Sequence, residues 1–281
     1  MLTVDEAFLK LAAHVAPAPP RDVPLGELLG LQLAQDVASD CDSPPFDKSV
    51  VDGYAIALAD ASPELAVLEQ VIAGGVPSRP LAPGGTIRVM TGAPIPAGAD
   101  AGAKWEDCRE LAPERIANPA AGVAAGHCIL RRGTAFRRGD VLLAAGKRLT
   151  PLDLALMAEA GCASASAIPR PRVGVLPTGN ELVAPGEPLG PGQIRNSNGP
   201  MLLASLAAAG CAAVDLGVAR DDPESLRAAI ERGLAECQVL LVSGGVSAGG
   251  VDLVPRILAA LGVPEVFHKL RMKPGKPLWF G

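Results

Sequence analysis

Apolar and polar positions along the chain fall into three textures. At the N-terminus, Ala7, Phe8, Leu11 and Ala12 recur at helical spacing behind Thr3-x-x-Glu6, a capping box, and predict an amphipathic helix. After the break Pro17-Ala-Pro-Pro20, the stretch from Leu25 to Leu33 reads as a second short helical run. From Cys41 to His127 the apolar runs shorten to Val50-Val51, Ala66 to Leu68, Val71-Ile72, Ile87 to Met90 and Ile116, most of them parted by Gly or Pro. Runs punctuated this way predict a small β-barrel or sandwich inserted into the first domain. Residues 128–168 return to a mixed pattern: a turn at Arg137-Arg-Gly-Asp140, a strand at Val141 to Leu143, and a helix from Thr150-Pro151-x-Asp153 to Gly161.

From Arg170 onward strands alternate with helices. Val173 to Leu176, Ala212 to Leu216, Val239 to Val242 and Val263 to His268 read as strands. Helices are expected from Asn198 to Ala209, from Asp222-Pro223-Glu224 onward, and near Leu253 to Leu261. Continuously apolar strands alternating with helices imply a mainly parallel sheet covered on both faces. The expected fold is therefore multidomain α+β. A discontinuous mixed domain (1–40 plus 128–168) carries the β-rich insert (41–127) and is followed by a three-layer α/β domain (169–281).

Composition narrows the functions open to such a chain. Its 281 residues are 49% hydrophobic and 20% charged, as in a globular protein with a core, and the length favours more than one domain. A net charge of −5 argues against nucleic-acid binding, which needs a basic face. No run approaches a membrane span, and Asp5 and Glu6 stand where a secretory leader carries cations, so the chain reads as cytoplasmic with no membrane partner. The six cysteines form no CxxC pair and read as buried small hydrophobes. With three scattered histidines, chemistry falls to carboxylates, lysines and backbone amides.

Those groups concentrate where parallel sheets bind ligands, beyond the C-terminal strand ends. The first strand leads to Thr178-Gly-Asn-Glu181, the second to Arg220-Asp221-Asp222, and the third to the loop Ser243-Gly244-Gly245-Val246-Ser247. The fourth leads to Lys269, Arg271, Lys273 and Lys276, four cations in eight residues with no acid among them. The Gly-rich loop suits an anion cradle but is neither GxxxxGK[ST] nor GxGxxG. The lysines suit a multiply charged anion. Glu181, Asp221 and Asp252 are hard oxygen donors that suit Mg²⁺ beside a phosphate.

In their order along the chain, these segments resemble the molybdopterin molybdenumtransferases, a family that includes the E domain of gephyrin-type proteins. The resemblance rests on Pro45-Phe-Asp47-Lys-Ser49-Val-Val-Asp52-Gly-Tyr-Ala55, Met90-Thr91-Gly-Ala-Pro-Ile-Pro96 and Arg132 to Thr150. It continues through Thr178-Gly-Asn-Glu181-Leu, Gln193-Ile-Arg-Asn-Ser-Asn198, Arg220-Asp-Asp-Pro223, Ser243-Gly-Gly-Val-Ser247 and Met272-Lys-Pro-Gly-Lys-Pro277. It implies molybdenum cofactor biosynthesis: molybdate is inserted into adenylylated molybdopterin, and AMP leaves in a Mg²⁺-dependent step. By that resemblance Asp52, Asp221, Asp252, Lys273 and Lys276 are catalytic. Thr91, Glu181, Ser243, Gly244, Gly245, Ser247 and Lys269 bind substrate, and Asp252, Asp221 and Glu181 hold the metal.

The resemblance further implies a homodimer in which the Asp52 segment reaches the partner's α/β domain, and contact with the molybdopterin adenylyltransferase. Three departures stand out: Gly250 replaces an acid, Asn180 replaces an aspartate, and the family continues past Gly281 with a C-terminal β-domain, so the chain reads as truncated. Two other readings stay open from the sequence. One is a non-catalytic molybdopterin-binding or scaffold protein, the other a molybdopterin adenylyltransferase, an enzyme with no counterpart of the Asp52 and Thr91 segments.

Overall fold

The computed structural model describes residues 1–245 and 253–281. Contacts divide the chain into two compact units, one of Asp22–Leu29 and Leu33–Ser166, the other of Met1–Arg21, Gly30–Gln32 and Ala167–Gly281.

The first unit is built on a six-stranded sheet in the order Ala101–Lys104, Gly53–Ile56, Gly85–Val89, Glu64–Val71, Arg115–Ala117, Glu110–Ala112. All neighbours are antiparallel except Glu64–Val71 and Gly85–Val89, which run parallel. Side chains alternate across a strand, so Tyr54 and Ile56 join one core with Leu65 and Ile116, while Ala55 joins another with Val71, Ile87 and Val89. The runs Ala66 to Leu68 and Val71-Ile72 belong mostly to one strand, Glu64–Val71, with a register shift between Val67 and Gln70.

Two expectations here need correcting. Val50-Val51 is not a strand but the link between Lys48–Ser49 and Gly53–Ile56. The Ser49 hydroxyl donates to the Val51 carbonyl at 2.6 Å and accepts from the Val51 amide at 3.3 Å, closing a local turn. Leu25 to Leu33 is not a helix: only a 3-10 turn at Leu25–Glu27 forms, followed by a strand at Gln32–Leu33. Gly26 and Gly30 both weaken a helix, and Gly30 adopts φ 75° where the chain turns. The Leu25 and Leu33 amides bond instead to the Ala163 and Lys147 carbonyls. The expected helix at Pro151–Glu159 is present, with its Thr150–Asp153 capping box.

The second unit holds a three-stranded parallel sheet, Ala212–Asp215 / Arg172–Pro177 / Val239–Ser243, with Arg172–Pro177 central. Helices Asn198–Ala208, Pro223–Glu236 and Leu253–Ala260 accompany it. Leu176, Leu216, Leu226, Ile230, Val254 and Leu258 form its core. The Asp222 carboxylate caps the second helix by accepting from the Ser225 amide at 2.8 Å.

Val263 to His268 does not enter this sheet. Only Phe267–His268 is extended, paired antiparallel with Trp279–Phe280. Phe267 and Leu270 are buried with Ala7 of the first helix, Val4–His14, and the Arg271 amide donates to the Leu2 carbonyl at 2.7 Å. Apolar contact with the N-terminal segment has displaced sheet pairing as the segment's way of burying its side chains. The same contact sets the helix rotation: Ala7 is buried, whereas Phe8, expected on the inward face, is 65% exposed. All six cysteines are free and half-buried rather than fully buried.

Candidate functional site

The carboxyl end of the parallel sheet is stitched by backbone bonds that the strand register dictates. The Thr178 amide donates to the Ser243 carbonyl at 2.8 Å, and the Gly179 amide to the Ala219 carbonyl at 3.1 Å. All three strands therefore deliver their outgoing loops to one rim. Gly244 can occupy its place only as glycine: φ is 109°, and a Cβ would lie 2.5 Å from the Thr178 carbonyl oxygen.

A pocket of about 140 Å³ opens at this rim, lined by Thr178, Glu181, Arg195, Asn196, Ser197, Asn198, Ser243 and Gly244 together with Pro177, Leu182 and Ile194. Its polar groups are held by one another. Asn198 Nδ2 donates to Ser243 Oγ at 2.9 Å, and Asn196 Oδ1 accepts from the Gly199 amide at 2.9 Å as the helix begins. Asn180 Oδ1 accepts from the Asp221 amide at 3.2 Å, tying the second loop to the first beside Glu181. An amide oxygen makes this bond as a carboxylate would, so aspartate is not required at position 180 for the tie.

Of the residues expected at the site, the pocket gathers Glu181, Ser243 and Gly244, with Asp221 joined through Asn180. Gly245 follows at φ 64°. Ser247 and Asp252, and with Asp252 the full set of three acids, lie outside the described residues, as does Gly250. Among the described residues no three His, Cys, Asp or Glu side chains cluster as a metal site.

The lysines need a correction of place. Lys269, Lys273 and Lys276 line no part of the pocket, because their segment leaves the Phe267–His268 ribbon and not a fourth parallel strand. Lys269 is half-buried at φ 74°, with its amide bonded to the Leu278 carbonyl at 2.8 Å; Lys273 and Lys276 are exposed. None of the three has an ion-pair partner among the described residues.

Asp52 and Thr91 meet within the β-sheet unit. The Thr91 amide and hydroxyl both donate to Asp52 Oδ1, each at 2.7 Å. The amide bond foremost, then the hydroxyl, holds the Asp52 carboxyl below its ordinary range, so it is ionised at neutral pH. Its neighbour Tyr54 is fully buried, accepting from Arg88 Nη2 at 2.8 Å, while the Arg88 guanidinium lies 4.0 Å from the Trp105 ring centre. Asp47, in the same motif, accepts from the Arg132 amide at 2.8 Å and from Arg131, which marks it as a structural tie.

Thr178, Asn196, Ser197 and Asn198 were not singled out as site residues in the sequence. The signal available was the polar run Arg195 to Asn198 standing directly before an apolar helix, a place where side chains either cap or face a ligand.

A family profile described as the MoeA N-terminal region (domain I and II) matches residues 2–161, and one described as a probable molybdopterin binding domain matches residues 174–281. The chain belongs to the MoeA family. Among relatives of this MoeA chain, the molybdopterin molybdenumtransferase of Synechococcus elongatus is 39% identical over all of it, and the chain spans 72% of that protein. The Bacillus subtilis molybdopterin molybdenumtransferase is 35% identical over 98% of the chain, which spans 66% of that relative. A crystal structure of a molybdopterin biosynthesis MoeA protein from Pyrococcus horikoshii superposes with a TM-score of 0.79 at 33% identity, covering 99% of this chain and 71% of that one. The multidomain α+β fold is thus the MoeA fold. The N-terminal match also removes the adenylyltransferase reading, which has no place for residues 2–161. No helix among the described residues is long and apolar enough to cross a membrane.

Proposed function

We propose that this chain works in molybdenum cofactor biosynthesis by inserting molybdate into adenylylated molybdopterin with release of AMP. The observation that carries the reading is the convergence of Glu181, Ser243 and Gly244 on one polar pocket at the sheet rim, in a chain whose MoeA match runs through both units.

The acids of the rim suit Mg²⁺. Glu181 in the pocket and Asp221, tied in through Asn180, are hard oxygen donors, and Mg²⁺ takes one or two protein carboxylates with substrate oxygens completing its shell. Asp252 is the third donor we assign. When bound, the ion neutralises charge on the phosphoanhydride. Ser243, Gly244, Gly245 and Ser247 hold the substrate. Lys269, Lys273 and Lys276, which lie outside the pocket and have no ion-pair partner among the described residues, contribute positive potential to the approach of molybdate and the substrate phosphates. Asp52, with one oxygen fixed by Thr91 and the other without a partner among the described residues, acts from a second subunit in a homodimer.

The test is AMP release from adenylylated molybdopterin by the full chain, with Mg²⁺ and molybdate present or omitted. Release that needs both supports the transferase. Tight pterin binding with no release under any condition would make the chain a binding protein. No binding at all would end both readings.

A further inference from the structure

Arg88 lies on an interior strand of the β-sheet unit, Gly85–Val89, directly opposite Tyr54, and its side chain is 24% exposed. Its Nη2 donates to Tyr54 Oη at 2.8 Å and to Glu110 Oε1 at 3.2 Å, and the guanidinium stacks 4.0 Å from the Trp105 ring centre. Its Nε, by contrast, is buried with no partner. An unpaired buried donor destabilises a fold, and methionine would span much the same space without that cost. Without the guanidinium, Tyr54 still keeps a partner, because its hydroxyl donates to Glu110 Oε1 at 3.3 Å. Local packing therefore gives little reason for an arginine here. Its reach across the sheet gives a better one.

Two segments hold Asp52, and Arg88 joins them. The Thr91 amide and hydroxyl bind the carboxylate, and Thr91 follows Arg88 by three residues as the chain leaves the same strand. The Trp105 amide donates to the Asp52 carbonyl at 3.0 Å, just past the end of Ala101–Lys104. In the sheet, Gly53–Ile56 lies between these two strands and begins one residue after Asp52. The guanidinium thus passes over the strand that carries Asp52 and rests on the far side against Trp105.

We propose that Arg88 is a positioning residue for Asp52: by clamping the Thr91 and Trp105 segments across the strand between them, it fixes where the Asp52 carboxylate points. The inference rests on the reading of Asp52 as a group that acts on substrate, and it supplies the device that holds that group in place.

The test is a double-mutant cycle on the full chain, read by AMP release and by titration of the Asp52 carboxyl in nuclear magnetic resonance. Arg88→Met is expected to lower kcat about tenfold while KM stays within about twofold, since a displaced acting group loses transition-state contact and not ground-state binding. In an Asp52→Ala background, Arg88→Met costs nothing further, because the group it positions is already gone. The Asp52 carboxyl, held down by Thr91 in the unaltered chain, titrates at higher pH in Arg88→Met. Trp105→Leu removes the stack from its other side and keeps the backbone amide at position 105, so it moves kcat and the titration in the same directions. That variant carries the test where Arg88→Met does not fold. Variants with kcat and the Asp52 titration both unchanged overturn the proposal. So does a loss as large without the Asp52 carboxylate as with it, since Arg88 would then serve the fold and not Asp52. If Asp52→Ala releases AMP at the unaltered rate, the reading of Asp52 falls and the inference with it. The titration needs no turnover, so an unmoved Asp52 overturns the clamp even in a chain that releases no AMP.

Discussion

Replacing Glu181 by glutamine is expected to lower AMP release about 100-fold, equivalent to about 2.7 kcal/mol of lost transition-state stabilisation. The substitution preserves shape and hydrogen-bonding capacity and removes only the negative charge. Glu181 is exposed on the pocket wall, and its one described hydrogen bond is through its backbone carbonyl, to the Ile194 amide at 2.8 Å. The fold should therefore survive. Steady-state assays at rising Mg²⁺ identify the cause: partial recovery at high Mg²⁺ marks Glu181 as a metal contact. Activity unchanged from the parent would remove Glu181 from the site.

The largest expected effect on stability comes from Gly53→Ala. Gly53 is buried in the strand pairing with Ala101–Lys104, and a Cβ there would lie 2.0 Å from the Ala103 carbonyl oxygen and 3.1 Å from the Lys104 Cα. Both obstacles are backbone, so no side-chain rotation relieves the clash and the two strands must separate. Overpacking of this kind costs about 3 kcal/mol, which for a unit of this size lowers Tm by roughly 6–12 °C. The change also moves Asp52, one residue earlier, away from Thr91. Gly26→Ala is the control, because a Cβ at Gly26 meets nothing within 4 Å. Thermal unfolding of both variants checks the claim; a Gly53→Ala melt within a degree or so of the parent would show that the pairing is looser than described.

These two residues also show how far the chain could be read before its fold was known. Strand and helix existence in the α/β unit was legible because its apolar runs are continuous and its caps, such as Asp222-Pro223, are local signals. The meeting of the first three strand ends followed from parallel topology alone. The Asp52-Gly53-Tyr54 motif stood out by composition, yet its physical reason was not visible. Gly53 is required by the Ala103 carbonyl, on a strand fifty residues away, and Tyr54 by a network with Arg88 and Glu110.

What failed did so where tertiary contact overrode a local pattern. Phe8 sits at helical spacing with Ala7 and Leu11, but the helix is turned by its packing against Phe267 and Leu270. That packing also draws the lysine-bearing segment out of the sheet, which no periodicity in Val263 to His268 announces. Thr178, Asn196 and Asn198 stood in segments that the sequence brought forward but carried no individual role there, for a different reason. Neutral amides and hydroxyls carry no charge run or spacing motif, so their convergence is legible only in three dimensions.

We place the pterin nucleotide in the pocket between Thr178, Glu181, Asn198 and Ser243, with its metal on the adjoining carboxylates. A crystal structure of the full chain with adenylylated molybdopterin and Mg²⁺ tests it most directly. The expected result is ligand in this pocket, in contact with Glu181 and the Gly244 turn. Ligand bound elsewhere on the chain, with this pocket holding only solvent, would contradict it.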